Sequence, residues 1–222
     1  MALSDWEVVY GQTYRITDER AVHGTHCLRA GETAEACGFV YKPTYNDAPL
    51  NAEIRSWFSM GNKGTINRCM YYLGMIARKQ QGSKTYIELY LQYDVYPDGH
   101  IEGAMVTLQT VYDGSPDLIV GEDVTSKLQN ILGSHSQQWF WAKFKIYSMW
   151  DQIYGKAYIT PYIDNPDVNN PPEDQLYELV ELVISQEPDY VKNGGACGIM
   201  LGNISDDPEW GDMYTDWTEI WY

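Results

Sequence analysis

Apolar and polar residues alternate with a period of two along much of the chain. Over 86–95, Ile87, Leu89, Leu91, Tyr93 and Val95 fall on one side and Tyr86, Glu88, Tyr90, Gln92 and Asp94 on the other, as in a strand with one face against a core. The segment 139–149 sets Phe140, Ala142, Phe144 and Ile146 against Trp139, Trp141, Lys143, Lys145 and Tyr147. The segment 154–164 sets Ala157, Ile159 and Ile163 against Tyr154, Lys156, Tyr158, Thr160 and Tyr162. Further strands are predicted at 6–10, 26–30, 52–59, 70–78, 100–110, 196–201 and 218–222. The segment 178–184 is read as a strand because Val180, Leu182 and Ile184 alternate, although Leu179, Leu182 and Val183 also fit helical spacing. One short helix is predicted at 125–132, with Leu128, Ile131 and Leu132 at helical spacing and Asp123 near the capping position. Turn formers at 97–99, 113–116 and 193–195 separate these runs. Short strands punctuated this regularly imply a sandwich or barrel.

Composition narrows the picture. The chain has 222 residues, within the range that one β-sandwich occupies, and the proline-containing stretch 165–172 reads as an ordered surface loop, so 1–222 is taken as a single domain. The 19 tyrosines and 8 tryptophans favour sheet over helix. A net charge of −16 without a Lys/Arg cluster argues against nucleic acid as a partner, since that affinity comes largely from basic side chains displacing counterions. No apolar run has the length of a membrane span, so no membrane insertion is expected, and the first residues lack the basic start and apolar stretch of a Sec-type signal peptide. Cys27, Cys37, Cys69 and Cys197 form no CxxC pair and read as buried free thiols. The alternative for Cys27 and Cys37 is a disulfide across a turn at 31–33.

The residues offer little nucleophilic chemistry. The four histidines lie in turn-rich segments without Gly-x-Ser-x-Gly or an equivalent, so no catalytic triad is assigned. Glu53 and Glu88 lie on predicted strands and would act as acid and nucleophile only if those strands brought them together; the alternative is that they are solvated or paired with residues such as Arg55 and Lys143. The informative pattern is an aromatic and polar set on the outward positions: Trp57, Tyr86, Tyr90, Trp139, Trp141, Tyr147, Tyr158 and Tyr162, interleaved with Glu53, Arg55, Glu88, Lys143 and Lys156. Aromatic rings stack on the CH-rich faces of sugars while charged groups bond hydroxyls. The same mixture marks protein interfaces, and burial of both sheet faces under loops is the third reading. Trp57, Tyr86, Glu88, Tyr90, Trp139, Trp141, Lys143 and Tyr158 are the expected ligand-binding residues. No cofactor is required. The acidic loop with Asp206, Asp207 and Asp212, together with Asp216, offers oxygen ligands for calcium, the alternative being a solvated loop.

Several segments, in order, resemble the concanavalin A-like lectin/glucanase superfamily, a jelly roll of two antiparallel sheets. They are WEVVY at 6–10, HGTHCLR at 23–29, YLGMIAR at 72–78, WAKFKI at 141–146 with KAYI at 156–159, and GGACGI at 194–199 followed by DWTEIWY at 216–222. The resemblance implies an all-β jelly-roll sandwich with at most one or two short helices, in which the first and last strands pair. The catalytic Glu-x-Asp-x-x-Glu of its glucanase branches is absent. The expectation is therefore a non-enzymatic binding or assembly module. Its expected setting is the virion, as a decoration or tail protein of a virus particle. Expected partners are further copies of itself or other structural proteins, with a glycan as ligand of the aromatic face. A glycoside hydrolase or polysaccharide lyase with displaced acids is the alternative.

Overall fold

Fourteen strands form among the described residues because nearly every apolar run alternates or is bounded by turn chemistry. The computed structural model describes residues 3–12, 14–18, 21, 22, 24, 26–30, 36–60, 69–96, 98–133, 138–167, 169–204 and 213–222. In chain order the strands are β1 (Trp6–Tyr10), β2 (Tyr14–Thr17), β3 (Cys27–Ala30), β4 (Ala36–Tyr41), β5 (Ala52–Met60), β6 (Cys69–Lys79), β7 (Tyr86–Val95), β8 (Ile101–Tyr112), β9 (Ser115–Asp123), β10 (Trp139–Met149), β11 (Gln152–Ile159), β12 (Tyr177–Ile184), β13 (Ala196–Ile204) and β14 (Met213–Trp221). The helices are α1 (Thr44–Asp47) and α2 (Thr125–Leu132). Two seven-stranded antiparallel sheets result, sheet A in the order β1-β4-β13-β6-β7-β8-β9 and sheet B in the order β12-β11-β10-β5-β14-β3-β2. They pack face to face as a jelly-roll sandwich.

The inward halves of the alternating strands make the core. Leu73, Leu89, Leu91, Leu108 and Ile199 from sheet A meet Ile54, Phe58, Phe140, Phe144 and Ile153 from sheet B. The sheets approach closely at Gly155 on β11, where a Cβ would stand 3.0 Å from the Leu89 side chain and 3.1 Å from that of Leu108. The predicted helix forms over 125–132, buries Leu128 and Leu132, and has the Thr125 N–H donating to Asp123 Oδ1 at 2.8 Å. All four cysteines are buried free thiols.

Three expectations are corrected. The first and last strands do not pair: β1 lies against β4 in sheet A, while β14 lies between β5 and β3 in sheet B. The strand expected over 154–164 ends at Ile159, ahead of Pro161, which cannot donate a ladder hydrogen bond. Ile163 then packs outward with Trp57 and Trp139 rather than in the core. The turn expected over 113–116 is confined to Asp113 and Gly114, whose φ of 48° and 81° suit a two-residue hairpin; Ser115 and Pro116 already pair with Tyr112 and Val111.

One end of the sandwich is organised by Arg78, whose side chain is fully buried. Its guanidinium pairs with Glu187, donates to Leu50 O at 2.8 Å and Val191 O at 2.9 Å, and reaches Ser148 Oγ at 2.5 Å. The loop before β5, the end of β10 and the connection between β12 and β13 are thereby tied to the end of β6.

Candidate functional site

Register places the outward residues of sheet B in rows that run across its strands. Lys143 stands beside Arg55 of β5 and Tyr158 of β11, and Lys145 beside Glu53 and Lys156. Lys156 stands beside Glu181 of β12 and is ion-paired with it. Cations lie over aromatic rings: Lys143 Nζ is 4.6 Å from the centre of Tyr158, and the Arg55 guanidinium 5.1 Å from the Trp221 ring. Carboxylates fix the cations from the side. Arg55 Nε donates to Glu53 Oε1 at 2.5 Å, and Glu173 takes Arg55 at 3.2 Å and Lys143 at 3.9 Å. Tyr147 and Tyr154 stack across β10 and β11 with ring centres 5.0 Å apart. Lys143, Tyr158, Arg55 and Tyr154 are all half-buried, so the face is ordered yet accessible.

The eight residues expected to form one ligand face are divided between opposite sides of the molecule. Trp57, Trp139, Trp141, Lys143 and Tyr158 lie on sheet B. Tyr86, Glu88 and Tyr90 lie on β7 of sheet A. The alternation assigned each side chain correctly to the outside, but two sheets have two outsides. Burial divides the set again. Trp57 and Trp141 are fully buried and Trp139 nearly so, because segment 160–176 folds back over them. Thr160 N–H donates to Trp141 O at 2.9 Å and Ile163 N–H to Trp139 O at 2.7 Å, Ile163 and Leu176 pack on the rings, and the Trp141 indole N–H donates to Glu173 Oε1 at 2.7 Å. These tryptophans form a small second core. Glu173 was missed by sequence reading, since nothing local to a loop glutamate signals that it closes over a strand.

Glu53 and Glu88 cannot act as a catalytic pair, since they occupy the outer faces of different sheets. Glu53 is held by Arg55. Glu88 is buried, accepts from Gln109 Nε2 at 2.5 Å and from the hydroxyl of Tyr10. Burial raises its pKa above the ordinary 4.5, outweighing the hydrogen bonds that favour the carboxylate. A carboxyl raised on folding stabilises fully below its unfolded pKa, and that contribution is lost as pH rises through the folded value. Wild type is therefore expected to lose melting temperature relative to Glu88→Gln as pH is taken from below 4.5 upward. Parallel melting curves for the two proteins across that range would contradict this.

An open cleft of about 1040 Å³ lies where β1 of sheet A faces β2 and β14 of sheet B, lined by Trp6, Phe39, Tyr41, Trp217 and Ile220 among others. None of the eight expected ligand-binding residues lines it, and of the acidic residues considered for calcium Asp216 does. Asp206, Asp207 and Asp212, the expected calcium ligands, lie outside the described residues, as do His23 and His135. Asp216 accepts from the backbone N–H of Val22 and of Trp217, each at 2.7 Å. Among the described residues no group of three or more His, Cys, Asp or Glu comes together to hold a metal. No helix of the described residues is long and apolar enough to cross a membrane.

No protein-family model matches the sequence, and no curated protein matches it. Solved structures do. A legume lectin-like domain from Entamoeba histolytica superposes with a TM-score of 0.56 at 6% identity, covering 99% of this chain and 90% of that one. A carbohydrate esterase from a Shiga toxin-encoding bacteriophage gives 0.48 at 11% identity over 98% and 90%. The receptor binding domain of botulinum neurotoxin mosaic serotype C/D gives 0.47 at 13% over 97% and 42%. Identities this low speak to fold alone. The two seven-stranded antiparallel sheets, their packing and the match to the lectin-like domain establish that this chain has a concanavalin A-like jelly-roll fold.

Proposed function

We propose that the protein is a binding module that takes a glycan on the outer face of sheet B. The observation that carries the reading is the half-buried set Arg55, Lys143 and Tyr158 with the exposed Glu173 beside it, in which donors and acceptors are fixed beside aromatic rings. Fixed polar groups suit sugar hydroxyls, and rings suit the CH face of a pyranose, at little cost in ordering side chains already held. One fold hosts many activities, so these residues support the reading and the fold does not.

The test is a glycan array followed by titration of any ligand found. Wild type is expected to retain a glycan, and Tyr158→Ala and Lys143→Ala to weaken it by about tenfold each, near 1.4 kcal/mol, the scale of a partly desolvated aromatic or cation contact. Both variants binding as wild type does would remove the face from consideration. Calcium at Asp206, Asp207 and Asp212 is tested by melting in EDTA: loss of a bound ion lowers the midpoint, and an unchanged curve leaves a solvated acidic loop. A second reading, an assembly role such as that of a decoration or tail protein in a virus particle, is favoured by the exposed apolar edge at β9 and is tested by finding the chain in purified particles.

A further inference from the structure

The hairpin joining β10 to β11 turns through two residues, Trp150 and Asp151, since Met149 and Gln152 still pair. Their φ angles are 54° and 57°. A two-residue turn of this hand needs both values positive and is normally built from Asn-Gly or Asp-Gly, as at Asp113 and Gly114. A bulky side chain in that region is strained. Packing does not offset the strain, because Trp150 is 82% exposed. The tip is nonetheless held firmly. Glu187 N–H donates to Asp151 O at 2.7 Å, and Ser148 Oγ donates to Glu187 Oε1 at 2.6 Å, within the network that Arg78 organises. The fold thus keeps a tryptophan in solvent on a rigid, strained support.

Trp150 stands at one end of the face assigned to a glycan. The outward residues of the hairpin form a strip two strands wide, in the rows Lys143–Tyr158, Lys145–Lys156, Tyr147–Tyr154 and Met149–Gln152. The first and last rows are six residues apart along β10, about 20 Å at the usual rise of a strand. Every side chain in the four rows is half-buried or exposed. Beyond the first row, segment 160–176 covers Trp141, so the strip extends only towards the tip. Carboxylates flank it, Glu53 of β5 beside Lys145 and Glu181 of β12 beside Lys156.

A long, narrow strip suits a linear chain, whereas a protein partner needs a broad patch. The stacked pair Tyr147 and Tyr154 and then Trp150 offer aromatic contacts at intervals along it, and the flanking carboxylates can accept hydroxyls. Charge narrows the ligand further. Lys156 is paired with Glu181 and Lys143 lies 3.9 Å from Glu173, and the net charge of −16 repels polyanions at long range.

We infer that the β10–β11 hairpin binds an uncharged linear polysaccharide along its length, with Trp150 as the far contact for its internal sugar units. The inference rests on the glycan reading above and extends it from a sugar to a chain.

The test titrates the full chain with ladders of cello-, xylo- and chito-oligosaccharides, from disaccharide to hexasaccharide, and with oligogalacturonates as the charged counterpart. Affinity for a neutral ladder is expected to rise about tenfold or more between disaccharide and hexasaccharide. Trp150→Asn should remove most of that rise and bind the disaccharide as wild type does. Its melting temperature should increase by about 2–4 °C, because asparagine tolerates the turn. Tyr158→Ala should weaken every length. Three results overturn the inference and leave the glycan reading standing: affinity independent of length, Trp150→Asn holding the hexasaccharide as tightly as wild type, or oligogalacturonates binding as well as the neutral ladder. A melting temperature of Trp150→Asn below that of wild type would make Trp150 a structural residue and overturns it too. So does failure of every neutral ladder to bind, and the glycan reading falls with it only if the array also retains nothing.

Discussion

Replacing Trp141 by alanine is expected to destabilise the protein by about 3–5 kcal/mol, as much as removing a core phenylalanine such as Phe144. Trp141 is fully buried, its ring centre 5.3 Å from that of Trp57, and its indole N–H is the donor that holds Glu173. Truncation opens a cavity under segment 160–176 and removes the hydrogen bond that anchors it. Against a total stability of about 5–15 kcal/mol for an ordinary domain, the loss is large. Tyr158→Ala, on the same face but half-buried, should cost no more than about 1 kcal/mol. Urea unfolding of the three variants separates the cases. Trp141→Ala as stable as Tyr158→Ala would mean that segment 160–176 does not cover the tryptophans, and the glycan face would then extend to include them.

The second large effect is at Arg78. Arg78→Met should cost about 3–5 kcal/mol, the scale for breaking a buried ion pair from one side. It leaves the Glu187 carboxylate, whose side chain is 9% exposed, with Ser148 Oγ at 2.6 Å but without its cation. The carbonyls of Leu50 and Val191 lose their guanidinium donors. Most of that cost comes from the charge left behind, so removing the charge too should recover part of it. Arg78→Met combined with Glu187→Leu is expected to be more stable than Arg78→Met alone, because an apolar pair of similar volume often replaces a buried ion pair at little cost. A double-mutant cycle by thermal or urea denaturation measures the coupling. Additive losses would show that Arg78 holds this end through its backbone carbonyl contacts and not through Glu187.

Much of the local structure was legible beforehand. The strands at 86–95 and 139–149 and the helix at 125–132 have the bounds their periodicity predicts, because the pleat and the helical turn are set by neighbours in sequence. Three strands escaped notice, β2, β4 and β9, and burial explains the last two. β4 is buried along most of its length and so does not alternate, and β9 is exposed almost throughout and so shows no apolar face. The tight turn at Asp113 and Gly114 left β9 to begin two residues sooner than a four-residue breaker allows.

The candidate site was legible only in part. Lys143 and Tyr158 stand side by side on β10 and β11, since a hairpin keeps sequence neighbours together. Tyr86, Glu88 and Tyr90 were joined to them on the strength of the same outward phase, which says that a side chain leaves the core but not from which sheet. By itself, then, the sequence determined which residues lie inside and outside the strands that alternate, a matter of the two-residue pleat. The tertiary structure alone decided which sheet each strand joined, that segment 160–176 would close over Trp57 and Trp141, and that β9 would be left at an edge. Those depend on pairings between segments far apart in the chain, where ladder hydrogen bonds and buried area are contributed by both partners and neither one carries the information.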